Sequence, residues 1–270
     1  MSWTDLGPRI ASSVVLITVI ATALYLGGYV FAIATGIVFG LIYREWEQMV
    51  TLKPLAPFGM VLMACVALSA AAFPMFGWLG TAAFMALAAL VSVVAGDRSV
   101  ALWRIAGFAF LGFVIVGILS MRGTDGLGIV AGWFLGLVIA LNDTGAYFTG
   151  RIIGGEKLVP AISPAKTWSG AIGGWIIGTT AGTIYWAIFT QSPWWIGLVL
   201  AGVTGLLGQV GDLSESAIKR RFRVKDSGDI IPGHGGLMDR LDSTSFGVLF
   251  LFLVGTLHGG GSVAAGFLNW

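Results

Sequence analysis

Between Lys219 and Asp242 the chain reads KRRFRVKDSGDIIPGHGGLMDRLD. This stretch holds 6 of the 15 Lys and Arg, 4 of the 13 Asp and Glu, and one of the 2 His. Carboxylates without cysteine and with a single histidine suit a hard cation such as Mg²⁺, which prefers oxygen ligands. Lys and Arg suit phosphate oxygens. Gly228, Pro232, Gly233, Gly235 and Gly236 break regular structure, and a glycine-rich loop lets backbone amides approach an anion closely. Together these residue types describe a site for a metal-bound polyphosphate. A polybasic loop beside a membrane commonly does no more than bind anionic headgroups. That plainer role accounts for Arg220, Arg221 and Arg223, but not for the acids and glycines set among them.

Four groups carry this chemistry. If the preceding apolar run continues as a helix, Asp212, Glu215, Ser216 and Lys219 share one face at offsets of three, four and seven. Asp239 and Asp242 stand three apart around Arg240. In Asn142-Asp143-Thr144-Gly145-Ala146-Tyr147, Asp143 follows an unbroken apolar run. An acid there is costly and marks a functional position, unless it simply pairs with Arg151 at the helix end. Tyr147 lies one turn on, on the same face, where an interfacial anchor is an equally good reading. In Ser163-Pro164-Ala165-Lys166-Thr167-Trp168, just before the run 168–190, Pro164 fits a turn or a first helical turn, which Ser163 would cap. The free amides of such a helix start attract phosphate, and Lys166 and Thr167 add a charge and a hydroxyl. The competing reading is an ordinary cap with an interfacial lysine.

The elements that must position these groups are apolar. The chain is 57% hydrophobic and 10% charged, with a mean hydropathy of +0.91. Soluble domains are about 25% charged, so composition implies a polytopic membrane protein. Continuous rather than alternating apolar runs favour helices over a barrel. Nine runs approach the length of about 20 residues that a span needs: 10–27, 29–44, 57–74, 77–95, 101–120, 126–148, 168–190, 194–211 and 243–262. The first is read as an uncleaved span rather than a signal peptide, because apolar character resumes at Tyr29. With nine spans, 14 of the 15 Lys and Arg fall on the face of the N-terminus and Arg122 alone on the other. The positive-inside rule then places the N-terminus and the charged loops in the cytoplasm. The 41 glycines imply close helix–helix contacts.

The lone Cys65 excludes an intramolecular disulfide and a cysteine-built zinc site. His258 is expected to be interfacial. No basic arm suggests nucleic acid. The chain is taken as one membrane domain, with 1–125 as scaffold and dimer contacts and 126–262 as the part that carries chemistry.

The motif Ser216-Ala-Ile-Lys219-Arg220, four residues, Lys225-Asp226-Ser-Gly228, then Ile231-Pro232-Gly-His234-Gly235-Gly236-Leu-Met-Asp239-Arg240-Leu-Asp242 resembles, without a break, the signature of the phosphatidate cytidylyltransferases (CDP-diacylglycerol synthases). The Asp143–Arg151 and Ser163–Gly170 segments resemble two further motifs of that family. Two positions depart: the family usually has Lys at Ala165 and Glu at Ser169. The resemblance implies the reaction CTP + phosphatidate → CDP-diacylglycerol + pyrophosphate, in phospholipid synthesis at the bacterial cytoplasmic membrane. It also implies a homodimer with a cytoplasm-facing site that uses Mg²⁺, with a second cation such as K⁺. Asp212 and Asp239 then become the metal ligands, with Asp143, Glu215 and Asp242 as further candidates. Lys166, Lys219, Arg220 and Lys225 fall to phosphate contacts. His234, Gly235 and Gly236 line the nucleotide pocket, with Ser163, Thr167, Ser216 and Arg240 beside the substrates.

Rival readings are a CTP-dependent lipid kinase, a cytidylyltransferase for an isoprenoid lipid, and a transporter of phosphorylated solutes. The unbroken signature disfavours the kinase. A transporter would show paired broken helices in two halves, whereas the polar segments here all lie in the second half.

Overall fold

The computed structural model describes residues 15, 18–228, 230 and 235–270. Helices α1 Gly28–Thr51, α2 Pro57–Ala71, α3 Phe73–Ala95, α4 Ala101–Arg122 and α5 Leu127–Ile153 come first. A two-stranded ribbon follows, β1 Lys157–Val159 and β2 Ser163–Thr167. Then come α6 Trp168–Phe189, α7 Trp194–Arg221, α8 Asp242–His258 and α9 Val263–Leu268. The chain is all-α in class. Among the described residues six helices, α1 and α3 to α7, are long and apolar enough to cross a bilayer, while α2 and α8 are apolar but shorter. Within the run 10–27, residues 10–14, 16 and 17 lie outside the described residues, and residues 18–26 are helical.

Three helices run five or more residues past their expected ends. Helix α1 continues to Thr51 and so carries Glu45 and Glu47 within it. Helix α5 continues to Ile153, which leaves Asp143 well inside the helix. Helix α7 continues through Asp212, Glu215 and Lys219 to Arg221, so the three share a face as the spacing requires. One expectation fails. Ser163 caps no helix; Ser163–Thr167 is a strand, and α6 starts at Trp168 with Thr167 as its cap, accepting from the Gly170 amide at 3.1 Å. Two glycines set this up. Gly154 and Gly155, at φ +66° and +101°, end α5 in a region that side chains disfavour. The chain then pairs antiparallel, Lys157 opposite Thr167, before α6 can begin.

The chain forms two compact units, Met1–Leu119 with Arg221–Arg240, and Ser120–Arg220 with Leu241–Trp270. In the first, α1 and α2 lie so close that a Cβ on Gly36 would fall 2.4 Å from the Ala67 carbonyl oxygen. Arg104 and Glu47, both 4% exposed, form a forked pair with Nε–Oε2 at 2.9 Å, and the Tyr43 hydroxyl donates to the same carboxylate at 3.2 Å. Burying either charge alone would be far costlier than burying both together. In the second unit, Gly170, Gly174, Gly178 and Gly182 put a small residue on every fourth position of α6. A Cβ at Gly174 would lie 2.4 Å from the Asn142 backbone carbonyl oxygen of α5. This is the small-residue contact by which apolar helices associate. Phe134, Trp186 and Phe267 pack edge to face at one end of this unit.

Candidate active site

The second unit contains a cleft of about 410 Å³ between α5, the ribbon, α6 and α7. Its walls include Asp143 and Tyr147 from α5, Lys166 and Thr167 from β2, and Gln209 and Asp212 from α7. Polar groups that the sequence placed in three separate segments thus line one concavity, in the size range of small-molecule sites. The ribbon is what brings Lys166 there. The Trp168 amide donates to Glu156 O at 3.0 Å, and the Ser169 hydroxyl donates to Gly154 O, tying the ribbon's base to the end of α5. Lys166 Nζ then sits 2.5 Å from Asp212 Oδ2. Ser169, one of the two departures from the family motif, holds the ribbon rather than presenting an acid.

Beside this pair, ligand atoms of Asp212, Glu215 and Asp242 all lie within 4.8 Å of one another. Lys219 Nζ is 2.9 Å from Glu215 Oε2, one turn along α7. Asp242 is the first residue of α8, where its Oδ1 accepts from the Ser243 amide at 2.7 Å. Burial, and then the neighbouring Asp212 carboxylate, raise the pKa of Asp242. Loss of water is the larger cause and the Asp212 charge the second, and the Ser243 amide, Glu215 and Lys219 only partly offset them. An all-oxygen set of this kind fits a hard divalent cation. Asp212 and Glu215 are on one helix face, and Asp242 is delivered by close backbone approach. A Cβ on Gly211 would fall 2.6 Å from the Asp242 carbonyl oxygen.

The first unit holds the rest of the charged stretch. Asp239 lies in a short 3₁₀ turn, Met238–Arg240, and its Oδ2 accepts from the amides of Ser227 at 3.1 Å and Gly236 at 3.2 Å. Gly235 has φ +81°. Lys225 and Arg240 are exposed. The expected pocket residue His234 lies outside the described residues. Arg220, in the second unit, donates through Nε to Ile162 O at 3.2 Å, which spends that donor on the ribbon's loop. Ser163 lies in β2 and Ser216 in α7, both part-exposed. Tyr147 accepts from Arg151 Nη1 at 2.8 Å, so Arg151 engages the tyrosine at the cleft's edge.

Sequence reasoning missed two groups. Gln209 donates through Nε2 to Asn142 Oδ1 at 2.9 Å and to Ala171 O at 2.8 Å, while Asn142, fully buried, donates to Gly205 O at 2.8 Å. This network joins α5, α6 and α7 beneath the cleft. Glu45, also fully buried, accepts from the Leu237 and Met238 amides at 2.9 and 2.8 Å and from the Ser227 hydroxyl at 3.1 Å. The signal for both was present: polar side chains inside long apolar runs are costly and rarely idle.

A model of the cytidylyltransferase family matches residues 7–258. The chain belongs to that family. A phosphatidate cytidylyltransferase of Brucella melitensis is 33% identical over 257 residues, covering 94% of each chain. One from Bacillus subtilis is 40% identical over 154 residues, 55% of this chain and 57% of the relative. One from Staphylococcus aureus is 48% identical over 115 residues, 41% and 43% of the two. The cytidylyltransferase assignment makes this chain a nucleotidyltransferase. The match also takes in the N-terminal helices, which the sequence motifs do not reach.

Proposed function

We propose that this membrane cytidylyltransferase makes CDP-diacylglycerol from CTP and phosphatidate, and that the cleft between α5 and α7 with its neighbouring acids is where it does so. The observation that carries the proposal is the pairing of Lys166 with Asp212 in the cleft, beside the Asp212–Glu215–Asp242 cluster. A polyphosphate needs both cations for its oxygens and carboxylates for its accompanying metal.

The nucleophile is a phosphate oxygen of phosphatidate, which is already an anion, so no general base is needed. That oxygen forms a bond to the α-phosphorus of CTP as the bond to the β-phosphate oxygen breaks, and pyrophosphate leaves with the electron pair. The barrier lies in bringing two anions together and in the charge that gathers on the leaving group. Asp212, Glu215 and Asp242 would hold Mg²⁺, with Asp143 near them, and the resemblance alone assigns Asp239 the same role. Such a cation neutralises charge on the phosphoryl oxygens. Lys166 and Lys219 are each held by a carboxylate, and can turn to phosphate oxygens when substrate arrives. Arg220 and Lys225 are further phosphate contacts in this reading. The same proposal includes a homodimer in the bacterial inner membrane, a site that opens to the cytoplasm, and K⁺ as a second cation.

Purified protein given α-labelled CTP, phosphatidate and Mg²⁺ should form a lipid-extractable cytidine product and release pyrophosphate. Transfer of the γ-phosphate to lipid instead would identify a kinase. An inactive protein beside an active control would refute the proposed reaction.

A further inference from the structure

Glu45 belongs to the half of the chain that sequence reasoning read as scaffold. Its carboxylate is fully buried and takes three donors, all from the segment 227–238. Oε1 accepts from the Leu237 amide, while Oε2 accepts from the Met238 amide and the Ser227 hydroxyl. Two signature glycines are shaped around it. A Cβ on Gly228 would fall 2.7 Å from Glu45 Oε1, and one on Gly236 would fall 2.9 Å from both Glu45 Oε2 and Asp239 Oδ2. Ser227 is the shared member: its hydroxyl goes to Glu45 and its amide to Asp239. A carboxylate accepting several amides in a dry site is a rigid, strongly held anchor.

We propose that Glu45 is a positioning residue of the transfer reaction, whose carboxylate ties Ser227 to the Leu237–Met238 turn so that the Asp239 carboxylate is presented in one orientation. Glu45 touches neither substrate nor metal in this account. It acts through Ser227 and the 3₁₀ turn. The inference rests on the proposed role of Asp239 in binding metal-bound CTP.

Glutamine at position 45 keeps the shape but turns one acceptor oxygen into a donor. An NH₂ would then face a backbone N–H or the Ser227 hydroxyl, so the clamp loses at least one bond. The test uses the full-length enzyme in phosphatidate mixed micelles. It measures kcat, KM for CTP, and amide hydrogen exchange, on wild type, Glu45→Gln and Ser227→Ala. Glu45→Gln is expected to lower kcat about 100-fold, the scale of a misplaced catalytic group, with KM for CTP nearly unchanged. Exchange at the Leu237 and Met238 amides should rise while Pro57–Ala71 keeps its wild-type protection. Ser227→Ala should show the same pattern at about fivefold, as suits one neutral hydrogen bond. Wild-type kcat in Glu45→Gln, or a lower kcat with unchanged exchange at Leu237 and Met238, would overturn the proposal. If Glu45→Gln loosens the whole unit, Ser227→Ala decides, and wild-type turnover and exchange in that variant overturn it. Should Asp239→Asn itself run at the wild-type rate, the role given to Asp239 falls, while exchange still reads whether Glu45 holds the segment.

Discussion

Glu45 in α1 is fully buried and takes three hydrogen bonds from one loop. Asp212 in α7 is part-exposed, lines a cleft, and faces two other acids and a lysine. Both are acids carried on long apolar helices, where a charge is costly to place. The chain offsets that cost differently in each place. Around Glu45 it supplies backbone donors until the carboxylate is satisfied, which makes a fixed joint. Around Asp212 it supplies more carboxylates and two lysines, which leaves an uneven charge that a cation and phosphates would complete. A saturated acid holds structure; an acid set against other acids leaves charge for a ligand to offset. Glu47 belongs with Glu45 in this respect, since Arg104 and Tyr43 take up its oxygens inside the first unit.

The largest effect expected from this contrast is at the cluster. Asp212→Asn removes a charge from the cation set and the partner of Lys166, and should lower turnover by about 10²–10³-fold, the size of losing a transition-state electrostatic contact. Its thermal unfolding should stay close to wild type or improve, because the substitution relieves repulsion with Glu215 and Asp242. Turnover near the wild-type rate would remove Asp212 from the site and erase the contrast with Glu45.

Asp239→Asn sharpens the contrast from the other unit. The asparagine oxygen can still accept from the Ser227 and Gly236 amides, so the turn should keep its exchange protection while kcat falls about 100-fold for want of a negative ligand. A variant that loses protection together with activity would place Asp239 among the structural acids, beside Glu45.

Lys166→Ala comes next. It takes away the cation nearest Asp212, and the expected loss is about tenfold in kcat/KM, mostly in KM for CTP, as for a contact made in ground and transition states alike. A change in kcat alone would mean that Lys166 acts on the leaving pyrophosphate.

These residues also show how far the sequence could be read. The apolar runs, the acid spacing on α7 and the Asp143–Tyr147 face were legible because helical periodicity is local. The ribbon was not. Ser163-Pro164 looks like a helix start, and only the pairing of Lys157 with Thr167 across a glycine-ended helix makes it a strand. The partners of Glu45 were illegible for a different reason. They lie more than 180 positions away, and no spacing rule reaches that far. Sequence could say that an acid in an apolar run is unusual, but not which loop it holds.

The smallest effect is expected at Arg221 and Arg223, the part of the charged stretch that headgroup binding explains. Both are exposed, and neither is needed to satisfy Glu45 or the Asp212 cluster. Replacing both with Ser should change turnover by less than about threefold in neutral-detergent mixed micelles, since each exposed charge contributes only about 1 kcal/mol to membrane attraction. In vesicles the same variant should lose its dependence on anionic lipid and on salt, because those charges act through a screened surface potential. A large loss in detergent, where no charged surface is present, would move these arginines from the lipid surface into the phosphate site, and the charged stretch would then serve chemistry along its whole length.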